Sequence, residues 1–225
     1  MRMNLHLLFR PFSGLFLNLA YLSKMSEWRK KHSALTINDF YNGKWDYSSR
    51  LMLYQKVFAK ENLSSPVNYL EFGVSKGASF KWWIEHNKNP ESEFVGFDTF
   101  TGLPEDWNVF KAGAMSAGGN FPVINDNRAT FIKGLFQDTL SPFLKTFNND
   151  KRKIIHLDAD LYTSTLYTLA TLHPFIKAGD ILFFDEFAVP QHEFLAFKNY
   201  VDSFRVSYEV IGAMNNYYFL AVKIL

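Results

Sequence analysis

No cysteine occurs in these 225 residues, so disulfides and cysteine-ligated metals are excluded, and the redox compartment stays open. An excess of one charge is also missing. The formal net charge of +2 is too balanced to imply a nucleic-acid partner. Long apolar runs are lacking as well. Arg10 and Pro11 break the N-terminal stretch, and the segment from Pro11 to Ser23 is too short to span a bilayer. No small-residue cleavage site follows it, which argues against a signal peptide. Internal repeats and low-complexity segments are absent.

What is present is apolar and aromatic. Apolar residues make up 48% of the chain and aromatics 18%, enough for a dense core, and the length suits one sizeable domain. The expected organisation is an N-terminal helical arm over residues 1–46 and a single domain over 47–225. Packing of the arm on the domain or on a second copy, as a homodimer, is the plainer expectation. Peripheral membrane contact through residues 1–25 is the alternative. The expected location is cytoplasmic, with membrane association depending on that arm. Arg29-Lys30-Lys31-His32 reads as a solvated helix end.

The organising stretch runs from Val67 to Ser79. An apolar run ends in Glu71, glycines follow at 73 and 77, and a helix-like segment with Trp82 and Trp83 comes next. Such a run predicts a buried strand, and the glycines allow a tight turn and close approach to a ligand. A carboxylate at that turn would repel pyrophosphate, whereas the cationic methionine end of S-adenosylmethionine (SAM) tolerates it. Glu93 to Asp98 repeats the pattern and places Asp98 where nucleotide-binding α/β folds accept from ribose hydroxyls. The missing third glycine and Glu71 speak against a dinucleotide-dependent dehydrogenase.

Further strands are expected at 129–134, 153–158, 181–186, 208–213 and 217–222. Helices are expected over 47–62, from Gln137 with Asp138 as a cap, after Thr165 to Lys177 with Gly179 marking the end, and over 191–204. Residues 109–127, rich in Gly, Asn and Asp, read as a lid over cofactor and substrate. Alternating strands and helices predict an α/β fold, a doubly wound, Rossmann-like, mostly parallel sheet with helices on both faces. Ligands in such sheets bind outside the carboxyl ends of the strands, where all the singled-out acids fall.

Asp158, Asp185 and Glu186 converge if their strands are neighbours, and hard oxygen ligands suit Mg²⁺. By strand alternation His156 points away and reads as a core or surface histidine. SAM already carries an activated methyl group, so the enzyme's task is positioning and producing a nucleophile. A hydroxyl acceptor needs its proton removed, for which Asp158 and His192 are the two candidate bases.

Four motifs occur in order: Glu71-Phe72-Gly73-Val74, Gly96 through Pro104, Asp158 through Thr165, and Gly179 through Glu186. Together they resemble the macrocin O-methyltransferase family of class I SAM-dependent methyltransferases, from roughly Tyr47 onward. The resemblance implies a seven-stranded sheet with an antiparallel last strand, SAM on the first motif and Asp98, and Mg²⁺ near the fourth and fifth strands. It implies methyl transfer to a sugar hydroxyl, on a small glycoside or a surface polysaccharide. The expected cofactor set is Glu71, Gly73, Ser75, Gly77, Ser79, Asp98, Thr99, Phe100 and Asp158. The sequence departs from the pattern at Asp185-Glu186-Phe187, where the characterised antibiotic-sugar enzymes end the strand in two aspartates and a tyrosine. Two other readings stay open: a metal-independent methyltransferase with His192 as base, and a non-catalytic nucleotide-binding partner in glycan biosynthesis.

Overall fold

A computed structural model of the chain describes residues 4, 7, 9–107 and 109–225. Helices α1 (Ser13–Lys31) and α2 (Ser49–Lys60) precede β1 (Val67–Phe72), α3 (Ala78–His86), β2 (Glu93–Asp98) and β3 (Ala129–Lys133). Then come α4 (Phe136–Leu144), β4 (Arg152–Leu157), α5 (Tyr162–Leu172), β5 (Ile181–Phe184), α6 (Glu193–Phe204), β6 (Tyr208–Met214) and β7 (Phe219–Ile224). The strands form one seven-stranded sheet in the order β3-β2-β1-β4-β5-β7-β6. All neighbours are parallel except the two pairs that β7 makes with β5 and β6.

Strand alternation sorts the central residues onto two cores. Leu70, Phe72, Ile155, Leu157, Leu182 and Phe184 face a layer that includes α4, α5, α6 and the end of α1. Tyr69, Phe94, Ile154 and Phe183 face the other way, toward α2 and α3. β1 and β4 are buried along both faces, so the polar residues they carry, Asn68, Glu71, Lys153 and His156, lie inside the protein. The order in which strands are added reverses between β1 and β4, and the gap beyond their carboxyl ends is where such a fold leaves room for a ligand.

Several local expectations are corrected. Leu135, in extended backbone, holds the N-cap position of α4, and Asp138 sits inside its first turn. There its charge still favours the helix N-terminus. Helix α5 stops at Leu172 and passes through a single 3₁₀ turn, His173–Phe175, in which Pro174 cannot continue an α-helical ladder. β6 begins where expected and runs one residue further, and β7 starts two residues later than expected, because Asn215, Asn216 and Tyr217 all adopt left-handed backbone and make the turn. No helix among the described residues is long and apolar enough to cross a membrane.

Candidate active site

At Gly73 the chain leaves β1 with φ +97°, and a Cβ there would sit 1.7 Å from the carbonyl oxygen of Asp158. Only glycine lets these two strand ends lie side by side. The next two amides, of Val74 and Ser75, donate to Asp98 Oδ2 at 2.8 and 2.7 Å, while Phe100 N–H donates to Oδ1 at 2.6 Å. Asp98 thereby ties the turn after β1 to the exit of β2, and its half-buried carboxylate still opens on the space beside it.

That space is a cavity of about 430 Å³ beyond the carboxyl ends of the strands. Gly73, Ser75, Asp98 and Thr99 line it together with Asp158, Asp160 and Glu186, and Tyr47 and Tyr218 line it as well. Leu103, Trp107, Phe110 and Met115 form an apolar wall. Thus the long connection after β2 supplies a wall with its first half. Its second half goes elsewhere, with Phe121 packing on Phe100 and Phe131 and Pro122 sitting over Gly77.

The acids form a dense cluster. Ligating atoms of Asp158, Asp160 and Glu186 lie within 4.8 Å of one another, and so do those of His156, Asp158 and Asp185. Burial first, and then the neighbouring carboxylates, push Asp158, Glu186 and Glu193 well above the usual carboxyl range. Asp160 is raised to about 7, by burial and then by the charges of Asp185 and Asp98. Glu186 Oε2 and Glu193 Oε1 are buried without a hydrogen-bond partner. Such a set is costly unless a proton or a cation satisfies it. Hard oxygen donors with an orphaned carboxylate oxygen fit a divalent cation of the Mg²⁺ class.

Behind the acids a polar chain crosses the sheet. Tyr69 hydroxyl donates to Glu71 Oε2 at 2.5 Å, and Tyr54 hydroxyl donates to Asp185 Oδ1 at 3.3 Å. Each tyrosine has spent its hydrogen on a carboxylate, so each oxygen accepts from His156, at 3.0 Å from Nδ1 and 3.1 Å from Nε2. Both ring nitrogens therefore carry hydrogen. Burial would lower the His156 pKa, but Asp185 and Glu71 overcome that and raise it to about 10. On the far side Asp185 Oδ2 accepts from Arg50 and from Tyr47, both at 3.3 Å.

Residues 70–187, just over half of the chain, match the model of a family described as a methyltransferase domain. The chain belongs to that family. Among solved structures, the calicheamicin methyltransferase CalS11 is 19% identical, covers 80% of each chain and superposes with a TM-score of 0.63. The O-methyltransferase NovP is 18% identical over 79% of this chain and 78% of its own, with a TM-score of 0.58. A Bacillus cereus O-methyltransferase in complex with SAH (S-adenosylhomocysteine) is 13% identical over 92% and 90%, with a TM-score of 0.53. At these identities the likeness is one of fold. No curated protein matches the sequence.

The methyltransferase arranges its sequence-predicted residues unevenly. Gly73, Ser75, Asp98, Thr99 and Asp158 line the cavity. Glu71 does not: it is buried and turned to Tyr69 and His156 on the α2–α3 face. Ser79 is buried in α3, and Phe100 is buried against Phe121 and Phe131. Gly77 is the left-handed residue that opens α3, with φ +77°. Of the expected metal set, Asp158 joins Glu186 and Asp160 in one group and Asp185 and His156 in another, and Asp185 also accepts from Arg50, Tyr47 and Tyr54. His192 stands at the N-cap of α6, outside the cavity lining, with its ring 6.2 Å from Trp107. Burial lowers its pKa, against the charge of Glu105.

Arg50, Asp160 and Glu193 belong to the site although no role was expected of them. Asp160 lay in view, inside the motif after β4. Glu193 is fully buried and accepts the Glu186 amide at 3.0 Å, and Arg50 lies on a helix far upstream. Neither carries a local signal.

Proposed function

We propose that this methyltransferase uses SAM to methylate a hydroxyl group, with a sugar as the acceptor class and a divalent cation in the acidic cluster. One observation carries the reading: a single cavity is lined both by Gly73 and Asp98 and by the carboxylates Asp158, Asp160 and Glu186. The first pair suits a nucleoside, since a glycine without Cβ and an acid open to the cavity leave room for a ribose and acceptors for its hydroxyls. SAM supplies an activated, positively charged methyl donor. The surrounding carboxylates tolerate that charge.

Within this cavity the chain's own groups divide the work. Asp98 orients the ribose, and the turn from Gly73 to Ser75 closes on the donor's methionine end. With no cation bound, Asp160 takes the acceptor's proton, because it lines the cavity and burial and neighbouring charges raise its carboxyl to about 7. Asp158, Asp160 and Glu186 would hold the cation, which supplies a lowered pKa for the acceptor hydroxyl. Leu103, Trp107 and Phe110 exclude water and offer flat apolar surface to an acceptor ring.

The sugar class is supported by the sequence resemblance and by structural likeness to an enzyme described as a TDP-rhamnose 3'-O-methyltransferase. Specific membership of the macrocin group belongs to the same proposal. A metal-independent variant has its own support, since Arg50 and Tyr47 occupy one oxygen of Asp185. In that variant the guanidinium offsets charge that a cation would otherwise offset. The test is methyl transfer from labelled SAM to nucleotide-sugar acceptors, with and without chelator. Transfer lost in EDTA and restored by Mg²⁺ supports the metal reading; undiminished transfer in EDTA supports Arg50. Asp160→Asn should lower kcat by about 100-fold or more and leave SAH affinity unchanged. Unchanged kcat would remove Asp160 as the base.

A further inference from the structure

The two halves of α1 meet different surroundings. In its C-terminal half Met25 and Trp28 are buried on the domain. The Trp28 indole N–H donates to the Tyr208 hydroxyl at 2.8 Å, and its ring lies 4.9 Å from Phe187. The N-terminal half has no such cover. Leu15, Phe16 and Leu19 are 58%, 55% and 54% exposed, and Phe12, Leu17 and Leu22 are exposed beside them.

These side chains do not form a single stripe. At about 100° per residue, Phe12, Leu15, Phe16, Leu19 and Leu22 share one broad arc, while Leu17 and Tyr21 lie on the opposite side. A helix without a polar face belongs in a protein core or in lipid. A second copy seated along the broad arc would leave Leu17 in water; acyl chains would cover the whole circumference. Charge points the same way. Residues 1–26 contain no aspartate or glutamate, Arg10 and Lys24 bracket the apolar segment, and Arg29, Lys30 and Lys31 follow it. Cations at both ends of an apolar segment suit the headgroups of an anionic membrane. Length limits the depth. Phe12 to Leu22 rises about 15 Å, too little to cross a bilayer, so the segment lies along one leaflet with Arg10 and Lys24 both at headgroup depth.

We infer that the N-terminal half of α1 embeds in one leaflet of an anionic bilayer and tethers the catalytic domain to it through the Met25–Trp28 anchor. The full chain would be floated on a density gradient with vesicles of phosphatidylcholine, alone or with phosphatidylglycerol added. The expected result is flotation with the anionic vesicles and little with the neutral ones, reduced by high salt. The triple variant L15S/F16S/L19S should lower the bound-to-free ratio about tenfold or more, since each substitution removes exposed apolar surface. Its melting temperature should match the wild type, because these side chains are more than half exposed among the described residues. Two results would overturn the inference: no flotation with either vesicle, or a dimer in the absence of lipid that the triple variant converts to monomer. The second would place another copy of the chain on the arm. Equal flotation with both vesicles would overturn its electrostatic part.

Discussion

His156 sits between two carboxylates that it never touches directly. Tyr69 and Tyr54 intervene, and the ring stands 3.9 Å from Glu71 and 3.7 Å from Asp185. Removing a buried cation leaves its anions unpaired, and breaking a buried charged arrangement in this way costs about 3–5 kcal/mol. His156→Phe keeps most of the volume and removes both N–H donors. It should destabilise the fold by that order, measured by urea unfolding, and a loss below about 1 kcal/mol would show that the histidine is neutral and dispensable. Strand alternation correctly put His156 on the face opposite Leu157, but it said nothing of the partners. Those partners lie on α2, β1 and β5, and only the fold brings them together. Glu71 misled for the same reason. An acid at the end of a strand can serve the ligand edge or turn inward, and its neighbour Tyr69, two residues earlier on the same face, decides for the interior.

At the scale of elements, the strand-to-turn junctions were legible because each combines an apolar run with an acid or a glycine. β1, β2, β4 and β5 fall where the pattern put them, and so does the edge that gathers Asp98, Asp158 and Glu186. Helix ends were less legible. α5 stops at a proline whose neighbours still read as helix-forming, and α4 begins at a residue with no capping side chain. Gly73 is the junction with the least tolerance. A methyl group there meets the backbone oxygen of Asp158, which cannot rotate away, so β1 and β4 would have to part. Gly73→Ala should cost at least about 3 kcal/mol, at the upper end for overpacking, with a matching loss of SAH affinity. Measured stability and affinity close to wild type would show that the two strand ends are not in contact.

For the whole molecule, the buried groups share one direction of response to pH. The folded pKa of His156 is raised above its unfolded value, so its contribution is complete below about 6.5 and is lost as pH rises through about 10. Asp158, Glu186 and Glu193 are raised as well, so charging them also penalises the folded state as pH rises. Without divalent cations the melting temperature should fall steadily from pH 6 to pH 10. Mg²⁺ displaces protons from its ligands, so it should stabilise more at pH 8 than at pH 6. At a hundredfold excess over Kd the gain is about 3 kcal/mol. Scanning calorimetry at both pH values checks the sign. A melting temperature that rises with pH, or Mg²⁺ stabilisation that is larger at pH 6, would contradict the assigned protonation states.

If the cavity beside Gly73 and Asp98 holds SAM, titration calorimetry with S-adenosylhomocysteine will read its binding. Asp98→Asn keeps the size of the side chain and one acceptor oxygen while removing the charge. The expected result is micromolar-order binding by the wild type and a loss of about 10–100-fold in the variant, the worth of one charged hydrogen bond. No heat of binding with or without Mg²⁺, or equal affinity in the two proteins, would contradict it.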